Sequence, residues 1–462
     1  MRIVVLSLHT SPAAQPGTGD AGGLNVYVAH TAAHLVRAGH TVDILTADSA
    51  IAEDPAAVDL GKGVRLHTVA VQATSKDEMG AEAAQIACRI ADDPHLSGLL
   101  RHADVVWAHY WVSGLVACEL REIAAGDAAG RAAVTTESPT TGPTESPTTG
   151  PTRSPTSGPT SDPTTGPEQT RPALAMSFHT IAAVKDRDLG EARESAERLA
   201  AEKRIAATAD VLLANTASEA HDMGSLLDAA PDRVRIVAPG VDTDTFRPGR
   251  VQEARRAIGM EAADLLVLCV GRMQYVKGTD VLFDALSEIA VTEPVLAGRT
   301  RVVMLGGASG EADEAGMREA ARTSPAGGLV EFRGPVPARV LADWYRAADL
   351  VVVPSRSESF GFVAAEAVAS GTPVLASQVG GLTHIVRPGA SGVLVADRSR
   401  YTWAQAIVTL LEDPAGRAQL STGATALRDE LSWETAEDVM LEVLMEFAGP
   451  PRARGGDEGR SA

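Results

Sequence analysis

Short apolar runs alternating with stretches of helical periodicity, glycines closing several of those runs, and few aromatics beside abundant alanine, valine and leucine predict an α/β fold. Small residues let helices approach parallel strands closely, so the expected architecture is two doubly wound, Rossmann-like domains facing a cleft. The chain has 462 residues, and at roughly 150 residues per domain that length suits two or three. Apolar residues make up 45%. No apolar run reaches the roughly 18 residues of a membrane span, so a soluble globular chain is expected.

The first strand is expected at residues 3–8, inside MRIVVLSLHT. That run is too short for a signal peptide and lacks a small-residue cleavage site, which makes cytoplasmic residence the expectation. Further strands are expected at 41–45, 105–108, 173–178, 211–215, 235–238, 265–270, 302–305, 350–354 and 373–376. Helical spacing falls between them at 24–38, 190–208, 281–288 and 360–370. The segment IVAPGVDTDTFRP at 236–248 breaks the alternation with two prolines, a glycine and two aspartates, and a fresh strand follows. This divides the chain into an N-terminal domain at 1–238 and a C-terminal domain at 239–431. Ser432, Trp433 and Glu434 then open an amphipathic helix over 432–448, before a Gly/Pro/Arg-rich tail at 449–462 with the composition of disorder. Residues 137–168 repeat an octapeptide of the type ESPTTGPT, with two prolines in each copy. Proline removes donors and bars its predecessor from the helix, so a solvated insertion in the first domain is expected. A tether for a partner is the rival reading.

Against 60 acidic side chains stand 41 basic ones, a net charge of −19. Such a balance repels a phosphate backbone, which argues against nucleic acid as a partner. An anionic ligand must therefore meet a local cationic pocket. Cys88, Cys118 and Cys269 have no short spacing, so neither a disulfide framework nor a zinc site is expected, only buried small side chains.

Three segments carry chemistry. After the first strand comes HTSPAAQPGTGDAGGLN, where Gly22 and Gly23 open a helix whose exposed N–H groups favour a phosphate. Gly17, Gly19 and Gly22 satisfy GxGxxG, but about eight residues separate the strand from the first glycine. A dinucleotide fingerprint turns directly off its strand, which disfavours a dehydrogenase. The second domain opens with LLVLCVGRMQYVKGTDVL, placing Arg272 and Lys277 where a fork and a point charge could grip a diphosphate. Next, VVVPSRSESFGFVAAEAVASG places Glu358 and Glu366 eight residues apart around a helix start. The plainer alternatives are a structural turn at Gly22 and Gly23, a capping role for Glu358 and a solvated face for Glu366.

Together these residues resemble the retaining glycosyltransferases of family 4, which have the two-domain GT-B fold and a Glu, seven residues, Glu motif. The opening glycine segment, the HYW at His109–Trp111 and FHTIAAVK at Phe178–Lys185 resemble more closely the branch that glycosylates inositol 3-phosphate at the first step of mycothiol synthesis. The resemblance spans nearly the whole chain except the repeat. Met176, Ser177 and Phe178 depart from the His, Thr and Ala of that branch.

The resemblance implies transfer of N-acetylglucosamine from UDP-N-acetylglucosamine to 1D-myo-inositol 3-phosphate, a phosphorylated cyclitol. On the donor side it implies Arg272 and Lys277 on the diphosphate, Glu366 on the ribose and Glu358 on the sugar. Val336 is a further nucleotide contact, and Gln15, Pro16 and Gly23 close from the first domain. His179 orients the sugar, and His179, Arg272, Lys277 and Glu358 form the catalytic set. The acceptor would meet His9, Asp20, Ala21, Gly22, Gly23, Leu24, Asn25, Lys76, Tyr110, Thr180 and Arg198. No cofactor is required on this reading; a Mg2+ ion near Tyr345, Arg346, Ala348 and Thr372 and a homodimer through the first domain are further expectations. The alternatives are a related family 4 transferase of secondary metabolism, with another nucleotide sugar and a different cyclitol, thiol or sugar-phosphate acceptor, and a non-catalytic protein that keeps the nucleotide cleft.

Overall fold

A computed structural model describes residues 1–14, 22–49, 58–61, 63–135, 171–260, 264–307 and 311–449. The expected contacts Gln15, Pro16, Asp20 and Ala21, the repeat at 137–168 and the tail beyond Gly449 lie outside the described residues.

Among the described residues, two sheets form. The first holds β1 (Arg2–Leu6), β2 (Thr41–Asp48), β3 (Val58–Asp59), β4 (Val64–Ala70), β5 (Val105–His109), β6 (Ala173–Ser177), β7 (Val211–Ala214) and β8 (Val234–Ile236), in the order β3-β4-β2-β1-β5-β6-β7-β8. Every pair is parallel except β3 with β4. The second holds β9 (Leu265–Val270), β10 (Thr300–Leu305), β11 (Val330–Arg333), β12 (Leu350–Val353), β13 (Val374–Ser377) and β14 (Gly392–Val395), all parallel, in the order β11-β10-β9-β12-β13-β14. In both sheets the order reverses beside the first strand, and ligands of doubly wound sheets bind at that switch, beyond the carboxyl ends of the strands.

Each sheet is covered on both faces. Val4, Leu6, Leu8 and Val106 pack one face of the first, while Ile3, Val5, Val28, Leu35 and Trp107 pack the other. The second sheet is sandwiched likewise by Leu266, Val351 and Tyr345 on one side and Val267, Leu286 and Trp403 on the other. Burying each large apolar side chain contributes about 1.5–3 kcal/mol. The helix Trp433–Ala448 joins the first domain's core: Trp433, Met440, Val443 and Leu444 pack with Ile3, Val5 and Tyr27, and the Trp433 ring stacks on His30 at 5.3 Å. The chain therefore crosses between domains twice. The crossings touch where the Val241 N–H donates to the Leu431 carbonyl at 2.7 Å and Val241 bridges Ser432.

Two expectations need correction. The helix read from 190 begins at Ala196 behind its cap Ser195; Gly190, at φ 73°, ends the preceding helix Ala182–Leu189. Cys88 is exposed, and only Cys118 and Cys269 are buried. Among the described residues no helix is long and apolar enough to cross a membrane.

Candidate active site

The carboxyl end of β1 runs into a loop tied down from the following helix. Asn25 Nδ2 donates to Thr10 Oγ1 (3.0 Å) and to the Ser11 carbonyl (2.6 Å), and its Oδ1 accepts from the Gly22 N–H (2.9 Å). Asn25, expected at the acceptor, is 1% exposed, and its amide shapes the loop that carries His9. The neighbouring strands β5 and β6 both end in a left-handed residue, Tyr110 at φ 70° and His179 at φ 61°. Backbone strain of this kind in non-glycine residues clusters where a site needs a side chain re-aimed.

These turns gather one group of side chains. The rings of His9 and Tyr110 lie 4.2 Å apart, and the Arg198 guanidinium sits 5.1 Å from the Tyr110 ring centroid. Arg198 donates to the Thr180 carbonyl at 3.3 Å. Burial first, then the charges of His179, Lys76, Arg198 and Arg272, push the His9 pKa from 6.5 to about 3. Lys76, Arg198 and Arg272, from three separate segments, thus all favour the neutral ring of His9. Burial likewise drops His179 to about 3.

Arg198 is itself committed. It is 3% exposed and pairs with Glu194 (2.6 Å) and Glu202 (2.9 Å), and Glu194 also binds Lys185. Arg198, expected at the acceptor phosphate, is thus a buried, compensated group that also contacts Tyr110 and Thr180. Lys76, first residue of the helix Lys76–Ala81, is exposed behind its cap Ser75.

In the second domain β9 ends at Gly271 and Arg272, and a single 3-10 turn, Tyr275–Lys277, carries the lysine. Gly278, at φ 67°, packs where any Cβ would strike the Pro354 carbonyl, which fixes Lys277 beside the end of β12. Lys277 Nζ donates to Glu358 Oε2 at 2.7 Å, and Ser355 Oγ reaches the same oxygen at 3.3 Å. Glu358 lies in the loop before the helix Phe362–Ala369, whose cap is Gly361. Glu366 is half-buried rather than solvated. It accepts from the Tyr345 hydroxyl at 2.8 Å, and burial lifts its pKa to about 7. Val336 is half-buried, two residues before the helix Ala338–Ala347.

The two halves meet. Ser359 Oγ donates to the His179 carbonyl, and Gly23, first residue of the helix Gly23–Arg37, faces the Phe362 ring so closely that a Cβ would overlap it. Tyr275 is flanked by Arg193 of the first domain at 4.8 Å and Arg356 of the second at 3.7 Å. Leu24, next along the helix Gly23–Arg37, is partly buried against both core clusters of the first domain.

Residues 22–240 match a family described as Glycosyl transferase 4-like domain, and residues 264–413 match Glycosyl transferases group 1. The D-inositol 3-phosphate glycosyltransferase of Thermomonospora curvata is 36% identical over 457 residues, covering 96% of this chain and 94% of that protein. The chain belongs to the group 1 glycosyltransferases. A protein of the same name from Rhodococcus erythropolis is 35% identical, over 98% of this glycosyltransferase and 96% of its own length. Among solved structures, sucrose-phosphate synthase from Thermosynechococcus elongatus superposes with a TM-score of 0.76 at 26% identity, covering 96% and 97% of the two chains. Anabaena HepE in complex with UDP and glucose superposes at 0.66 with 17% identity, covering 96% and 99%, a likeness of fold. The fold of this glycosyltransferase is GT-B.

Tyr345, Arg346, Ala348 and Thr372, the residues expected near Mg2+, lie at the end of the helix Ala338–Ala347 and just before β13. The Tyr345 carbonyl accepts from both Thr372 Oγ1 (2.7 Å) and the Ala348 N–H (3.1 Å), and the Arg346 guanidinium lies against the Thr245 and Arg247 carbonyls. Among the described residues no cluster of three or more His, Cys, Asp or Glu is placed to hold a metal. Sequence reasoning missed the roles of His109, Ser359 and Tyr275 in this glycosyltransferase. Only the HYW and ESF contexts hinted at the first two, because their partners lie 70 and 180 residues away. The unusual Met176, Ser177 and Phe178 are buried in and just beyond β6, where Ser177 accepts from Trp107 Nε1 at 3.1 Å; they face the core rather than the cleft.

Proposed function

We propose that this glycosyltransferase moves N-acetylglucosamine from UDP-N-acetylglucosamine to 1D-myo-inositol 3-phosphate, releasing UDP with retention at the anomeric carbon. The observation that carries the reading is the cluster of His9, Tyr110, Arg198 and Thr180 at the strand ends of the first domain, joined through Ser359 on the His179 carbonyl to the loop where Lys277 pairs with Glu358. The names of relatives 35–36% identical over nearly the whole chain support the acceptor.

On this reading Arg272 and Lys277 hold the diphosphate and offset the charge that grows there as the glycosidic C–O bond breaks. Preorganised cations in a closed cleft act strongly because water is excluded. Glu366 accepts from the ribose hydroxyls and Val336 lines the base side. Glu358, oriented by Lys277, takes a sugar hydroxyl, and Gly23 faces the donor from the first domain. The acceptor phosphate is held by Lys76 with the hydroxyls of Tyr110 and Thr180, while His9, Gly22 and Leu24 bound the cyclitol ring. The acceptor oxygen bonds to the anomeric carbon on the face UDP leaves, and its proton passes to the departing phosphate oxygen. Glu358 is engaged by Lys277 and Ser355, so it is a positioner rather than a nucleophile for a two-step route.

The test is UDP release from UDP-N-acetylglucosamine with 1D-myo-inositol 3-phosphate, with unphosphorylated myo-inositol as control and the product linkage read by NMR. The expected result is release that needs the phosphate and an α-linked product. Arg272→Ala or Lys277→Ala should lower turnover about 10²- to 10³-fold. Release independent of the phosphate, or variants with unchanged turnover, would refute the assignment.

A further inference from the structure

The mechanism above makes no use of His109, although it is one of the most enclosed polar side chains at the cleft. It ends β5 at 0% exposure, directly before the left-handed Tyr110. Its Nδ1 lies 2.9 Å from His179 Nε2, while its own Nε2 is buried without a partner among the described residues. Trp107 and Tyr27 wall the ring, with centroids at 4.6 and 5.7 Å. Such a side chain is costly to bury, and a leucine would fill the space without an orphaned nitrogen.

Burial keeps both rings neutral, and at His109 the neighbouring imidazoles add to it. Two neutral imidazoles in contact share a single proton, so one donates and the other accepts, and both tautomers become fixed. Buried N–H groups without an acceptor are rarer than unsatisfied lone pairs. This assigns the bridging proton to His109 Nδ1, leaves its buried Nε2 as the bare nitrogen, and places the His179 proton on Nδ1. The His179 backbone is held separately, by its φ of 61° and by the Ser359 hydroxyl on its carbonyl.

We infer that His109 is a positioning residue, whose Nδ1–H bond to Nε2 fixes the ring orientation and tautomer that His179 presents to the cleft. The catalytic consequence rests on the glycosyl-transfer reading above; the hydrogen bond itself does not. Asparagine places an amide where Nδ1 stands, whereas glutamine places it near Nε2, away from His179. With UDP-N-acetylglucosamine and 1D-myo-inositol 3-phosphate, His109→Asn should keep turnover within a few-fold of wild type. His109→Gln and His109→Leu should lose up to about 10²-fold in kcat with donor KM little changed, because a misplaced group costs rate more than binding. Equal kcat in the Asn and Gln variants, high or low, would overturn the inference. Histidine-selective 15N NMR of the wild-type protein supplies a readout independent of turnover and of the folding of any variant. A fixed Nδ1-protonated His179 is expected; an Nε2-protonated or freely exchanging ring would overturn the assignment. Wild-type protein that shows the fixed tautomer but does not turn over these substrates would instead refute the acceptor and donor reading.

Discussion

At Glu366 a carboxyl and the Tyr345 hydroxyl meet in surroundings dry enough to lift the acid from its ordinary 4.5 to about 7. The folded protein therefore holds this proton where the unfolded chain has released it. The resulting cost to stability is absent below about pH 4.5, grows as pH rises, and is complete above about 7. Binding has the opposite sign, because ribose hydroxyls donate to the ionised form. From pH 6 to pH 8 the ionised fraction rises about tenfold, and the affinity for a UDP-sugar, whose diphosphate does not titrate there, should rise in step. Calorimetry should show proton release on binding, and Glu366→Gln should abolish both the release and the pH dependence. The carboxyl's place in a Glu, seven residues, Glu motif was legible in the sequence. Its tyrosine partner was not, because Tyr345 arrives from the helix Ala338–Ala347 and the pairing depends on how two helices pack.

Among the elements, the helix Gly23–Arg37 is the one that carries the first domain to the second. A methyl on Gly23 would overlap the Phe362 ring, so Gly23→Ala forces that ring aside or holds the cleft ajar. Alanine is the better helix former by up to about 1 kcal/mol, so the melting temperature should hold or rise while kcat/KM falls about tenfold. Gly23→Ala combined with Phe362→Leu should recover much of the loss, as steady-state kinetics would show. All ten strands expected from apolar runs form, whereas β3, β4, β11 and β14 were not foreseen. The reason is local: β4 interleaves Arg65 and His67 with its apolar residues, β11 reads VEFR at a sheet edge, and β14 is four residues behind a turn. Edge strands bury less and so carry a weaker apolar signal. The helix misread from Gly190 failed in the opposite way, since its periodicity ran through a glycine that acts as a C-cap.

For the molecule as a whole, β5 and β6 pair in continuous register from Val105 with Ala173 to His109 with Ser177, although the repeat lies between them in sequence. Residues on either side of the repeat set that register. Replacing 137–168 by a short Gly/Ser linker should leave turnover within about twofold of wild type, since loop length changes closure entropy only slowly. Loss of activity would favour the tether reading instead. The two crossings between domains are fastened to each other at Val241, Leu431 and Ser432, with Arg428 Nη2 donating to the Thr243 carbonyl at 2.9 Å. A body hung from one strand can swivel like a pendant, whereas a body hung from two strands stitched side by side resists torsion and folds over like a door. The stitched pair of crossings therefore resists twisting of one domain against the other, and it leaves the loop that carries Glu358 beside the end of β6, where Ser359 meets the His179 carbonyl.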